Sequence, residues 1–168
     1  MMENKIFILT GNTAEGKTTA IIDWMKSNKK RVHGILMPLK NGKRVFFNPY
    51  MDVIVSAEAS REVINPELIF EIGKFKFAKK SFKVASSWLK MTPPLNTDYL
   101  VIDEIGPLEL RGEGLEPELS DFFTRVKAGE IKQTVLMVVR ESLIKQFINH
   151  YQLDHVRIIK KEELDELN

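Results

Sequence analysis

The sequence predicts an α/β protein, a mostly parallel sheet covered on both faces by helices with an antiparallel hairpin excursion. Three observations carry this prediction. The runs KIFILT (5–10), YLVIDE (99–104) and TVLMVV (134–139) are apolar almost throughout, as strands buried on both faces must be. Between and behind them, apolar residues recur at the three-to-four spacing of amphipathic helices. The stretch NGKRVFFNPYMDVIVSAE (41–58) opens on Asn-Gly, a turn signal, and reads as a pair of antiparallel strands.

Taken in order, strand 5–10 is bounded by turn residues and gives way to a helix over about 17–27, with Ala20, Ile21, Trp24 and Met25 on one face. VHGILMPL (32–39) is the second strand, and strands 44–47 and 53–57 form the excursion. Phe82, Ala85, Trp88 and Leu89 predict a helix over about 79–90, which Pro93 and Pro94 terminate because proline cannot continue the helical ladder. Strand 99–104 follows, then the Gly-rich loop LRGEGLEP. A helix starts near Pro117, buries Leu119, Phe122, Phe123 and Val126, and ends at Gly129. Strand 134–139 is backed by a helix marked by Leu143, Ile144, Phe147, Ile148 and Tyr151, and the acidic tail EELDELN reads as a fraying terminal helix. In such folds ligands bind at the carboxyl ends of the strands.

Composition narrows the function. At 168 residues and 43% hydrophobic content the chain is expected to form a single domain, 1–168. No run approaches the roughly 20 apolar residues of a membrane span, and the N-terminus has neither the basic flank nor the cleavage site of a signal peptide, so a soluble, cytoplasmic protein is expected. With no cysteine, disulfides and thiolate metal sites are excluded, and because His33, His150 and His155 lack ligand spacing a zinc enzyme is not expected. A net charge of +2 calls for no nucleic acid or membrane. The basic-aromatic stretch KFKFAKKSFK (74–83) suits a stacked single strand; the favoured reading is a solvated lysine face with Phe75, Phe77 and Phe82 turned into the core. Oligomeric state has no signature here.

The motif with the clearest chemistry is GNTAEGKTT (11–19). Gly11, Gly16, Lys17 and Thr18 fit G-x-x-x-x-G-K-[ST], after a predicted strand and before a predicted helix, as the pattern requires. Glycines let successive N–H groups converge on one anion, and the helix start adds its positive dipole end. The cradle then runs through Asn12, Thr13, Ala14 and Glu15, with Lys17 reaching the β- and γ-phosphates, Thr18 binding Mg²⁺, and Thr19 holding the first helical turn or touching an α-phosphate. Glu15, a carboxylate in a phosphate loop, is expected to point out to solvent.

YLVIDE supplies a second element. Two acids ending an apolar strand are costly unless solvated, paired or coordinating a cation. Asp103 is the candidate Mg²⁺ partner. Glu104, on the opposite face if the strand continues, is the candidate that orients or deprotonates the attacking water. Charge developing on the phosphoryl oxygens calls for a further cation, and Arg140, directly after TVLMVV, is favoured over Arg111 in the Gly-rich loop.

These residues carry a resemblance. GNTAEGKTT, VIDEIGPLEL (101–110) and VVR (138–140) together resemble the small P-loop nucleoside-triphosphatases, a family that includes a thermophile NTPase and a cancer-related human NTPase. DEIGPLEL is the most specific part, similar to that family's extended Walker B signature; NGKRVFF resembles its glycine-arginine hairpin. The resemblance implies a three-layer, RecA-like P-loop fold with an additional strand between the phosphate-loop strand and the Walker B strand. It also implies Mg²⁺-dependent hydrolysis of nucleoside triphosphates with broad base preference. By position Lys17 and Thr18 match the phosphate and metal residues, Asp103 the Walker B acid, Glu104 the catalytic glutamate and Arg140 the arginine after the later strand. Two other classes stay open beside hydrolysis: a small-molecule or nucleoside kinase using the same loop, and a nucleotide-dependent nucleic-acid-binding module.

Overall fold

The computed structural model describes residues 5–167. Its centre is a five-stranded parallel sheet. The strands are β1 (Ile6–Leu9), β2 (Val32–Ile35), β8 (Tyr99–Ile105), β9 (Thr134–Val139) and β10 (Val156–Ile159), in the order β10-β1-β9-β8-β2. β9 therefore lies between β1 and β8, in register with both through Ile6–Val135 and Leu100–Val135. This is the interposed strand that the resemblance implied.

Strand periodicity divides the core into two layers. Side chains alternate across a pleated strand, so Ile8, Leu100, Ile102, Val135 and Met137 face one side, with α2 (Lys79–Lys90), α4 (Glu118–Lys127) and α5 (Ile144–Tyr151) packed on it. Leu9, Val101, Leu136 and Val138 face the other, under α1 (Lys17–Ser27). The helix at 79–90 spans the residues its spacing predicts, burying Phe82, Ala85, Trp88 and Leu89.

The antiparallel excursion is a three-stranded sheet of β3 (Leu39–Lys40), β4 (Lys43–Asn48) and β5 (Val53–Ser56). It is tied to the end of β2 by paired backbone bonds between Leu36 and Phe47 at 2.9 and 2.8 Å. Four elements were not anticipated. β6 (Ile69–Ile72) and β7 (Phe75–Ala78) form a second hairpin directly before α2, which turns Phe77 and Phe82 into the core and leaves Phe75 half-buried. A one-turn helix, α3 (Pro107–Leu110), follows β8, and β10 closes the sheet edge beside β1.

The tail corrects an expectation. Lys161–Glu166 is wound as a 3₁₀ helix rather than a fraying α-helix, and it buries Leu164 and Leu167 against the α1 layer. Among the described residues no helix is long and apolar enough to cross a membrane.

Candidate phosphate site

Apart from Arg111, the residues singled out in the sequence converge at the carboxyl ends of β1, β8 and β9. β1 ends at Leu9, and the loop from Gly11 to Gly16 leads into α1, with Gly16 at φ +73° as the residue before its first turn. That left-handed conformation is cheap only without a Cβ. Thr13, Glu15, Lys17, Thr18, Thr19 and Arg140 line a cavity of about 450 Å³, and Ala14, Gly16 and Glu104 complete the same wall.

Thr18, on the cavity wall, donates its hydroxyl hydrogen to Asp103 Oδ2 at 2.6 Å, joining residues 85 positions apart. Asp103 is 2% exposed, and the same oxygen also accepts the Met37 N–H at 3.0 Å. Its other oxygen, Oδ1, is buried and has no hydrogen-bond partner among the described residues. Burial, reinforced by the neighbouring Glu104 carboxylate, pushes the Asp103 carboxyl up to about 6. The donor set suits a hard divalent cation. The Thr18 hydroxyl spends its proton on Asp103 and keeps its lone pairs, while an orphaned carboxylate oxygen waits beside it.

Asp103 and Glu104 do have different surroundings, for a reason other than simple strand alternation. The β8–β9 ladder shifts register between Ile102 and Ile105, and Glu104 sits at φ +58°. A bulged strand end of this kind re-aims a side chain, and a non-glycine residue held at positive φ is strain of the sort that concentrates at functional sites. Asp103 is thereby left beneath the loop and Glu104 is turned to the cavity wall.

Two residues of the site were not found in the sequence. Arg44, on β4, lies 3.7 Å from Glu104 and lines the same cavity. A single arginine on a partly exposed strand has no local signature; only its place in the hairpin NGKRVFF marked it. Lys161, in the terminal 3₁₀ helix, donates to the Glu15 carbonyl at 3.1 Å and supports the loop from below. The sequence-predicted Arg140 does line the cavity, and its neighbour Glu141 pairs instead with Lys160 at 3.7 Å. Arg111 is exposed, ion-paired to Glu113 at 3.2 Å, and does not line the cavity.

The loop holds one correction. Glu15 is exposed but not directed outward: its carboxylate turns back to accept the Asn12 N–H at 2.8 Å. Lys17 lies across the same loop, donating to Asn12 O at 2.6 Å and Gly11 O at 3.3 Å. Gly11 sits at φ +153°, a backbone conformation that residues with a side chain rarely adopt, and a Cβ there would also displace the Glu15 carboxylate 2.3 Å away.

A glycine-rich loop between β1 and α1, an acid at the end of a strand two places away, and a strand interposed between them define a phosphate-loop α/β protein of the additional-strand class. The profile of the family described as NTPase matches residues 6–167, and the chain belongs to that family. A nucleoside-triphosphatase THEP1 from Saccharolobus solfataricus is 31% identical over 112 residues, 64% of this chain, and the aligned stretch spans 62% of that relative's length. The crystal structure of THEP1 from the hyperthermophile Aquifex aeolicus shares the fold at a TM-score of 0.69, covering 97% of this chain and 96% of the other at 16% identity.

Proposed function

We propose that residues 1–168 act as one domain that hydrolyses nucleoside 5′-triphosphates to the diphosphate and phosphate, with Mg²⁺ as cofactor. The observation that carries this reading is the 2.6 Å hydrogen bond from Thr18, which lines the cavity together with Lys17, Arg44, Glu104 and Arg140, to the buried Asp103. A loop that merely resembled a phosphate cradle would have no reason to bury a half-satisfied carboxylate against its own hydroxyl. The family and the named activity of the Saccharolobus relative point the same way.

The residues divide the work by position. Backbone N–H groups from Gly11 to Thr19 and the start of α1 take the polyphosphate, and Lys17 leaves its carbonyl partners to reach the β- and γ-phosphoryl oxygens. Thr18 and Asp103 would hold Mg²⁺, which when bound neutralises charge on those oxygens. Glu104 accepts a proton from the water that attacks the γ-phosphorus. Arg44, now paired to Glu104, and Arg140 balance the negative charge that grows on the transferring group. The test is release of inorganic phosphate from ATP, GTP, CTP and UTP, with and without Mg²⁺. Turnover that needs the metal and falls about 10²- to 10⁴-fold in Glu104→Gln is expected; full turnover in that variant would remove Glu104 from the role.

A further inference from the structure

Glu104 holds a conformation that its own strand does not supply. Tyr99 to Ile102 pair with β9 residue by residue, and pairing resumes as Ile105 meets Val139, so Asp103 and Glu104 share the place opposite Val138. Two residues against one is a bulge, and Glu104 takes its strain at φ +58°. A residue with a side chain stays in that region only where its surroundings over-determine it. Asp103 is fixed by Thr18 and Met37. Glu104 has Arg44 at its tip and needs a constraint on the backbone that follows it.

That constraint is a second, buried glutamate. The Gly106 N–H donates to Glu109 Oε2 at 3.0 Å, and Oε1 accepts the Leu115 N–H at 3.2 Å. Reaching back to the N–H before the first turn is the acidic half of a capping box. Here α3 is one turn long, and the same carboxylate also closes the far end of the loop. Bonds from Gly112 N to Glu109 O at 3.0 Å and from Glu113 N to Leu108 O at 2.9 Å complete the wrapping. Gly114, at φ +66°, passes so near that a Cβ there would collide with Oε1. Residues 106–115 are therefore folded round one side chain that is 3% exposed. An apolar side chain would fill the same space at less cost in desolvation. It would not fix the orientation of the Ile105–Gly106 peptide, which lies one residue beyond Glu104.

We propose that Glu109 is a positioning residue for Glu104: by holding the Ile105–Gly106 peptide it keeps the bulged end of β8 in the strained conformation that turns the Glu104 carboxylate to the cavity. This rests on the reading of Glu104 as the proton acceptor in hydrolysis. The cradle at Gly11–Thr19 belongs to a different element, and Asp103 has its own two bonds. Loss of the staple therefore acts on turnover and spares nucleotide binding.

The experiment measures phosphate release from ATP and Mg²⁺ at pH 8, where the Glu109 carboxyl is ionised, together with calorimetric titration of a non-hydrolysable analogue. The full chain is compared with Glu109→Gln, with Gly114→Ala, which displaces the same carboxylate without removing it, with Glu104→Gln, and with each of the first two combined with Glu104→Gln. Glu109→Gln and Gly114→Ala are each expected to lower kcat by about 10- to 10²-fold, with KM and the analogue's Kd within about twofold of the parent. The combined variants should be no slower than Glu104→Gln alone, because residues that act as one unit do not add. An unchanged kcat, a rise in KM that matches the fall in kcat, or losses that multiply in the combined variants overturns the positioning role and leaves the hydrolase reading standing. A parent that releases no phosphate, or Glu104→Gln at full turnover, overturns both.

Discussion

The Glu15 carboxylate accepts the Asn12 N–H at 2.8 Å, inside the loop that is shaped to give such N–H groups to a phosphate. A side-chain anion thus occupies part of the ground a ligand anion would take. Binding must break this hydrogen bond and then tolerate a like charge beside the phosphates. Glu15→Ala is expected to lower the dissociation constant for a non-hydrolysable triphosphate analogue about five- to tenfold by calorimetric titration, more at low salt than at high. Unchanged or weaker binding would show that the carboxylate helps the loop more than it competes with the ligand.

The two arginines at the cavity and the one outside it give a graded expectation. Arg44→Ala and Arg140→Ala should each lower kcat by about 10²- to 10³-fold, the range for removing one preorganised donor from developing charge. Arg44→Lys should recover little, because an ammonium does not reproduce a planar guanidinium held between Glu104 and the Phe75 face. Arg111→Ala, whose side chain meets only Glu113 at the surface, should stay within twofold of the parent. Steady-state phosphate release on the four variants checks the order.

Glu109 offers a pH test apart from catalysis. It is 3% exposed and staples the loop after β8, accepting from Gly106 N at 3.0 Å and Leu115 N at 3.2 Å. Burial outweighs those two bonds and pushes its carboxyl from 4.5 up to about 7. The folded protein therefore holds this proton more tightly than the unfolded chain does. The contribution to stability is complete below pH 4.5 and is lost as pH rises through 7. The span corresponds to about 3 kcal/mol, or roughly 5–10 °C in Tm for a chain of this size. Glu109→Gln should shrink the difference in Tm between pH 5 and pH 7.5; an unaltered difference would assign the slope to other groups.

The terminal 3₁₀ helix is predicted to be structural. Leu164 is 3% exposed in the α1 layer, so Leu164→Ala should destabilise by about 2–5 kcal/mol in chemical denaturation. Because Lys161 of the same turn supports the phosphate loop through the Glu15 carbonyl, Lys161→Ala should weaken nucleotide binding with a much smaller change in stability.

What the sequence disclosed and what it hid follow from how local each signal is. The phosphate loop, the strand ending in Asp103 and the strand before Arg140 are contiguous patterns, and each lies where its pattern put it. β10 was hidden because Val156–Ile159 is a four-residue edge strand with Arg157 and Ile158 exposed, so it has no buried alternation to read. The hairpin of Ile69–Ile72 and Phe75–Ala78 was hidden because its phenylalanines merge with the helical spacing of α2. Neither the bulge that re-aims Glu104 nor the approach of Arg44 is written locally. Both depend on how β8 meets β9 and how the β4 ribbon folds over the site.

The interposed strand gives the two guanidinium groups different moorings. β9 is bonded on both sides, to β1 and to β8, so Arg140 at its end is moored to the middle of the sheet. Arg44 rides on a ribbon at the sheet's margin, fastened by the Leu36–Phe47 bridge, by the Phe46 ring buried against Phe82, and by the Glu58–Phe77 bridge to the neighbouring hairpin. Displacing the first means tearing two ladders, whereas displacing the second means lifting Phe46 from the core. The two cations are thus anchored by different means, one by the central sheet's backbone and the other by a side chain.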